Sequence, residues 1–305
     1  MLPTGSMLRP AGLAFALSLC MAPAFAHDMW VNASSAHDES SVTVVTSLGW
    51  GHAPLPLAEF FPTARLSAYR LIGPDGQSFA LPFDKGANAD VNRPVDGLAG
   101  LTRLQAGDPL MRRLSFDAKA AAGGWRVHAA SPAVVRTTWI DAGGEVRAGP
   151  RFADEIKDAR NILSSVVTVR DATAWWRVGE RGEGAWSASV AQGAVFELVP
   201  QADPSALRAP GSLAVKAVWN GADLPQGAQA KFSGWGENNI EAEITEPSAG
   251  GATFAIAHPG VWLLRAELLV PVARAGNAYA EFAGRVENIR FVSTLALHVA
   301  PSAGK

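Results

Sequence analysis

Short runs of alternating apolar and polar residues, separated by glycine, proline, aspartate and asparagine, dominate the chain. Val42–Thr46 alternates in this way, and the turn sequence Pro74-Asp75-Gly76 leads into Ser78–Leu81 as in a β-hairpin. Val261–Val270 and Ile289–Val299 are longer and have apolar faces with a period of two. Strands at this spacing, with few helices between them, predict an all-β protein of two β-sandwich-like domains.

One segment has a different period. Apolar residues recur at helical spacing from Phe152 to Leu163, and two acidic residues in the first turn suit the helix dipole. This pattern predicts one short helix, over residues 152–163, in the first domain. Residues 84–108 are rich in glycine, aspartate and asparagine, which predicts a long loop, and the region Gly182–Gly193 predicts a boundary. We therefore expect an N-terminal β-rich domain at 27–188 and a C-terminal domain at 189–305.

The first 26 residues have the pattern of a secretory signal peptide. Arg9 supplies a positive charge, Ala11–Cys20 is an apolar run too short to span a bilayer, and Ala24 and Ala26 are the small residues of a cleavage site. Cleavage there would deliver the protein to the periplasm and make His27 the first residue of the mature chain.

The one cysteine, Cys20, lies within this signal, so the mature chain would have no disulfide and no thiolate metal site. A lipid anchor on Cys20 is the alternative, and it would abolish the free His27 terminus. Leu17-Ser18-Leu19 lacks the small residue expected before such a cysteine.

The charge balance limits the class of partner. The chain has 26 basic and 28 acidic residues, and removal of the signal takes away only Arg9, which leaves a net charge of −3. Such a balance gives no electrostatic footprint for nucleic acid or an anionic membrane. After the signal, no stretch approaches the apolar length of a membrane helix, so we expect no transmembrane segment in the mature chain.

Several short pieces, in their order and spacing, resemble one bacterial family of exported proteins. They are Ala26-His27-Asp28-Met29-Trp30, Gly51-His52 with Glu59-Phe60-Phe61-Pro62, Phe196-Glu197-Leu198-Val199-Pro200 with Asp203-Pro204, the turn from Asn220-Gly221 to Pro225 and Ala228, Gly260-Val261-Trp262-Leu263-Leu264, and Ser293-Thr294-Leu295. That family is a domain of unknown function, often labelled a periplasmic component of nickel or cobalt uptake. The similarity covers most of the mature chain. Ala222-Asp223-Leu224 departs from it, because a Lys-Pro pair is usual in that turn.

The resemblance implies a β-rich first domain followed by an immunoglobulin- or transthyretin-like β-sandwich. It also implies a role in divalent metal handling, with a metal-uptake transporter in the inner membrane as the partner.

A free N-terminal histidine offers both its α-amine and its imidazole to one metal ion. Their ordinary pKa values, about 8 and about 6.5, leave both nitrogens largely available at neutral pH. Nickel, cobalt and copper accept such ligands, with carboxylate oxygen as support. We therefore predict a metal site anchored by His27, with His52 as the preferred further ligand. His37 lies in a polar stretch that could fold back to the terminus, and Asp28 or Glu59 could add oxygen.

The other histidines are interpreted as structural. His128 alternates with Trp125 and Val127, which predicts the outer face of a strand. His298 lies opposite an apolar face, and His258 lies in a turn. The tryptophans of the first domain are interpreted as core residues in preference to a platform for sugars or peptides; they are Trp30, Trp50, Trp139, Trp175 and Trp176.

Catalytic chemistry is not expected. The chain lacks a Gly-x-Ser-x-Gly elbow, a His-Glu-x-x-His motif and a phosphate-binding loop. Copper monooxygenases that act on polysaccharides also begin with histidine, but their axial tyrosine would have to be Tyr69 or Tyr279, neither of which has a diagnostic context. The competing hypothesis to metal binding is an envelope interaction module that recognises a protein or a glycan without a metal.

Overall fold

The computed structural model describes residues 28–37, 41–51, 66–83, 101–105, 111–117, 119–179, 194–237, 240–245 and 247–302. These residues form β-strands with a few short 3-10 helices, so the predicted all-β fold class is confirmed. The described strands, in chain order, are β1 (Asp28–His37), β2 (Val42–Gly51), β3 (Ala68–Ile72), β4 (Ser78–Ala80), β5 (Leu101–Gln105), β6 (Met111–Phe116), β7 (Gly123–Ala130), β8 (Val134–Ile140), β9 (Val146–Gly149), β10 (Asn161–Val178), β11 (Phe196–Pro200), β12 (Arg208–Ala209), β13 (Gly211–Trp219), β14 (Ala230–Gly236), β15 (Glu243–Thr245), β16 (Gly251–Ile256), β17 (Gly260–Pro271) and β18 (Asn288–Pro301).

The strands form three sheets. A four-stranded sheet has the order β1-β2-β6-β5, and a second one has the order β11-β13-β16-β15. The large sheet runs β14-β17-β18-β10-β7-β3-β4, and β8, β9 and β12 attach at its sides. The large sheet therefore contains strands from both halves of the chain.

Strand β10 joins those two halves. Its residues 167–174 pair in parallel with residues 289–296 of β18, and its residues 171–178 pair antiparallel with β7. Every position from Val167 to Val178 is buried. Such burial is expected when both faces of a strand are covered, because neither face then needs polar side chains.

Two hydrophobic clusters lie on opposite faces of β10, as the alternation of its side chains requires. Ala172, Ala174 and Trp176 belong to the cluster that β1, β2 and β6 cover. Val167 and Val169 belong to the cluster that β11, β13 and β16 cover. Each small sheet therefore packs on its own face of the large sheet. The predicted boundary at 182–193 lies outside the described residues.

Only a small part of the predicted helix over residues 152–163 is helical; most of the rest is turn or irregular structure, and the last three residues are strand. A 3-10 helix covers only Ala153–Glu155, where the Glu155 carboxylate accepts a hydrogen bond from the N–H of Phe152 at 3.1 Å. Strand β10 begins at Asn161 and pairs with β8 as far as Thr168. From Asn161 onward, pairing between strands thus takes the place of the predicted helix.

The predicted loop at 84–108 also contains a strand. Residues Leu101–Gln105 form β5, which pairs with β6. The rest of that loop lies outside the described residues. Among the helices that the structure describes, none is long and apolar enough to cross a membrane.

Both tyrosines of the chain should resist ionisation in the folded protein. Burial raises the pKa of Tyr69 to about 12 and that of Tyr279 to about 12. The Tyr69 hydroxyl lies 2.7 Å from Thr46 Oγ1. The pKa of each tyrosine is higher in the folded protein than in the unfolded chain. Burial of the neutral hydroxyls therefore contributes its full stability below about pH 10, and this contribution is lost as the pH rises towards 12.

Spectrophotometric titration tests this prediction. Between about pH 10 and pH 11, where an exposed tyrosine largely ionises, the native protein should develop little tyrosinate absorbance, and the denatured protein should develop it in full. A native titration that overlays the denatured one would contradict the burial of both rings.

Candidate functional site

The candidate site lies at one end of the β1–β2 ladder. Asp28, the first residue of β1, pairs with Gly51, the last residue of β2. His27 precedes Asp28 in the chain and His52 follows Gly51. The predicted ligands His27 and His52 themselves lie outside the described residues, as does Glu59. The structure therefore defines the two strand ends to which these histidines are attached.

The Asp28 side chain is engaged in an ion pair. Its Oδ2 lies 2.9 Å from Arg265 Nε of β17, and the residue is 8% exposed. Burial raises the pKa of the Asp28 carboxyl above its usual value, and the guanidinium groups of Arg265 and Arg170 oppose this rise. A metal ion at this carboxylate would have to share it with Arg265.

A chain of alternating charges continues from that pair. Arg265 Nη2 donates a hydrogen bond to Glu267 Oε2 at 2.6 Å, and Arg290 Nε lies 3.5 Å from Glu267 Oε1. On the β2 side, the Arg170 guanidinium lies 4.9 Å from the ring centroid of Trp50. Arg265 and Glu267 are two residues apart on β17, but the sequence contained no local signal for the contacts of Arg290 with Glu267 and of Arg170 with Trp50, because these partners are far apart along the chain.

His37 is separated from this end of the ladder. It is the last residue of β1 and pairs with Val42. Strand β1 is continuous over Asp28–His37, so this polar stretch does not fold back. Nine residues at the rise of a strand place the His37 backbone about 30 Å from that of Asp28. Of the predicted ligands, the structure places Asp28 at the site and His37 at the far end of the strand.

His128 is not on an outer face, and that expectation was wrong. The residue is 1% exposed, and its Nε2 lies 2.8 Å from Asp171 Oδ1 of β10. Its Nδ1 has no hydrogen-bond partner among the described residues. Trp125 and Val127 do pack on the opposite face of β7, so the alternation was correct, but that strand is covered on both faces.

The tryptophans of the first domain pack in the interior, which confirms that interpretation. All five are at most 9% exposed, with Trp30 at 0%; they are Trp30, Trp50, Trp139, Trp175 and Trp176. Within the described parts of the chain, no group of three or more His, Cys, Asp or Glu side chains could hold a metal ion.

The architecture is that of an all-β protein whose two small sheets pack on opposite faces of one large sheet. Comparison with protein families matches residues 24–269 to a domain of unknown function, DUF4198. This match covers most of the chain, so the protein belongs to the DUF4198 family. A search of curated proteins found no match.

Proposed function

We propose that this protein binds a divalent transition-metal ion, nickel or cobalt, in the periplasm and presents it to an uptake transporter. The ligands are the α-amine and imidazole of His27, made available by cleavage after Ala26, and the imidazole of His52. One observation carries the proposal: Asp28 and Gly51 are register partners at the end of the β1–β2 ladder.

The Asp28–Gly51 pairing, together with covalent geometry, limits the distance between the Cα atoms of His27 and His52. Paired residues in an antiparallel ladder have Cα atoms about 4.5–5.5 Å apart, and consecutive Cα atoms are about 3.8 Å apart. The Cα atoms of His27 and His52 are therefore at most about 13 Å apart. Two imidazoles can meet at one ion across such a span, because metal–nitrogen bonds are about 2 Å long and both side chains extend from the backbone.

The donor set favours a borderline transition metal. Amine and imidazole nitrogens suit nickel, cobalt and copper, whereas calcium and magnesium require several oxygen ligands. The described carboxylates of Asp28 and Glu267 are already paired with Arg265. Nitrogen donors are therefore the expected primary ligands, and carboxylate oxygen is at most secondary.

Titration calorimetry with nickel, cobalt and copper chlorides tests the proposal. The protein that begins at His27 should bind at least one ion, and a form that retains Ala26 should bind it more than about tenfold more weakly, because its α-amine is no longer on the histidine. His52→Gln should weaken binding by a similar factor. His258→Gln, at an exposed bend, is the control and should leave the affinity unchanged.

His37→Gln should also leave the affinity unchanged, because that strand end is remote from Asp28. Mass measurement of the exported protein comes first and should give a chain that begins at His27. A different N-terminus, or equal affinities for the forms with and without Ala26, would refute metal binding through this residue. In that case an envelope interaction module becomes the better account.

A further inference from the structure

Strands β10 and β18 separate at one end of the large sheet, and a cavity lies where they do. Their parallel pairing ends at Ala174 and Ala296. Beyond that point β10 stays paired with β7 as far as Val178, and β18 stays paired with β17 as far as Val299. The cavity has a volume of about 380 Å³, and the residues that line it include several that follow the separation: Trp175, Trp176, Arg177, Leu297 and His298. The opening of the sheet thus accounts for the cavity.

Short segments that follow β11 also line this cavity. The 3-10 helix Pro204–Ala206 contributes its first two residues. Asp203 caps this helix, because its Oδ1 accepts a hydrogen bond from the N–H of Ser205 at 2.9 Å. Soon after the helix, the backbone of Arg208 in β12 pairs in parallel with Ala300 of β18, and both residues line the cavity. Strand pairing therefore positions Arg208 there.

The guanidinium of Arg208 is anchored through one of its three nitrogens. Nη1 donates hydrogen bonds to the backbone oxygens of Ser205 at 3.1 Å and Leu207 at 2.6 Å. Nε and Nη2 make no hydrogen bond or ion pair with the described residues. The N–H groups of Nε and Nη2 lie on one edge of the planar group, in the fork geometry that matches two oxygens of a carboxylate or a phosphate. The anchored nitrogen thus fixes the plane, and the other edge is suited to an oxyanion.

The charges around the cavity favour an anion. Among the described residues that line it, none is acidic. Arg177 lines it too, but Arg177 Nη1 lies 3.1 Å from Asp203 Oδ2, so this charge is already paired. Arg208 is different, because no carboxylate of the described residues forms an ion pair with it. Of the two arginines, Arg208 is therefore the one that offers its charge to a ligand.

The size and the remaining walls of the cavity suit an organic molecule better than a bare ion. A volume of about 380 Å³ falls within the range of about 300–1,000 Å³ that is usual for small-molecule pockets. Such pockets combine apolar walls with a few polar groups that fix the orientation of the ligand. Pro204, Trp175 and Leu297 supply apolar surface here. Ser34 and Ser35 of β1 are exposed and also line the cavity, so it is open to solvent on that side.

We propose that this cavity binds a small organic anion whose carboxylate or phosphate group forms two hydrogen bonds with Nε and Nη2 of Arg208. The apolar part of the ligand packs against the apolar residues that line the cavity. This site does not depend on the proposed metal site, which lies at the Asp28 end of β1, and its test is made without added metal.

Titration calorimetry of the wild-type protein with benzoate, phenyl phosphate, benzamide and inorganic phosphate tests the proposal. At least one of the two aromatic anions should bind, and the tighter one identifies the anionic group. Neutral benzamide and inorganic phosphate should each bind more than about tenfold more weakly than that anion, because the first lacks the charge and the second lacks the apolar part. Failure of both aromatic anions to bind at about 10 mM, or equal affinity for benzamide, would overturn the proposal. Equal affinity for inorganic phosphate would overturn the assignment of an organic ligand.

Two variants of Arg208 assign the anion to this residue, once urea unfolding has verified that they are folded. Arg208→Gln should weaken binding of the tighter anion by more than about tenfold and remove its advantage over benzamide. Arg208→Lys keeps the charge but not the fork, and should weaken binding by a similar factor. Arg274→Gln, at an exposed arginine outside the cavity, is the control and should leave the affinity unchanged. Wild-type affinity in Arg208→Gln would overturn the proposal, and wild-type affinity in Arg208→Lys would refute the paired hydrogen bonds.

Discussion

Gly49→Ala is expected to destabilise the protein by about 3 kcal/mol or more, because the new methyl group has no space. Gly49 of β2 is the register partner of Trp30 in β1, and the Trp30 side chain is fully buried over it. An added Cβ would overlap Cε2 and Nε1 of the Trp30 indole. The indole cannot move away without displacing the core between the first sheet and the large sheet.

Urea unfolding measures this effect, and Gly250→Ala is the matched control. A Cβ at Gly250 would meet its nearest neighbour, Leu224 Cγ, at the ordinary van der Waals distance of 3.6 Å. The control should change the free energy of unfolding by less than about 0.5 kcal/mol. If both variants were equally stable, Trp30 would not occupy the position over Gly49. Because Trp30 is two residues after Asp28, this variant also tests the packing that holds the candidate site.

Glu197→Gln is expected to cost about 3 kcal/mol, because it leaves a buried arginine without its counter-charge. Arg126 of β7 and Glu197 of β11 are each 1% exposed, and Arg126 Nη1 lies 3.0 Å from Glu197 Oε1. Nε and Nη2 of Arg126 have no hydrogen-bond partner among the described residues. Burial lowers the pKa of Arg126, and the Glu197 charge opposes that change.

Two further variants test whether the loss of stability comes from a buried, unpaired charge. The double variant Arg126→Met, Glu197→Leu removes both buried charges and should recover most of the lost stability. Asp223→Asn breaks the exposed pair with Lys216 and should change the free energy of unfolding by less than about 1 kcal/mol. The interpretation would fail if Glu197→Gln cost no more than Asp223→Asn, since burial would then not matter.

The local part of the fold could be predicted from the sequence. Alternation over Val42–Thr46 and over residues 289–299 lies in β2 and β18, and tryptophan burial followed from side-chain size. The helix predicted at 152–163 is reduced to a 3-10 helix at Ala153–Glu155. Its apolar spacing is local, whereas the pairing with β8 that begins at Asn161 depends on the whole sheet.

The candidate site, like the fold, could be predicted from the sequence only in part. A histidine next to a cleavage pattern, and a second one after Gly51, could be recognised as candidate ligands in the chain itself. Their relation through the Asp28–Gly51 pair could not, because strand register depends on which faces become buried. The ion pair between Asp28 and Arg265 could not be predicted from the sequence either, since these residues are far apart along the chain.

By itself, the sequence determined that strands dominate the fold, which side chains are apolar enough to be buried, and which residues could ligate a metal. Those properties follow from neighbouring residues and from side-chain chemistry. Only the tertiary structure decided that β7 and β10 are covered on both faces, which buries His128 against Asp171 and Arg126 against Glu197. These contacts arise from the stacking of three sheets, which brings together residues that no local pattern connects.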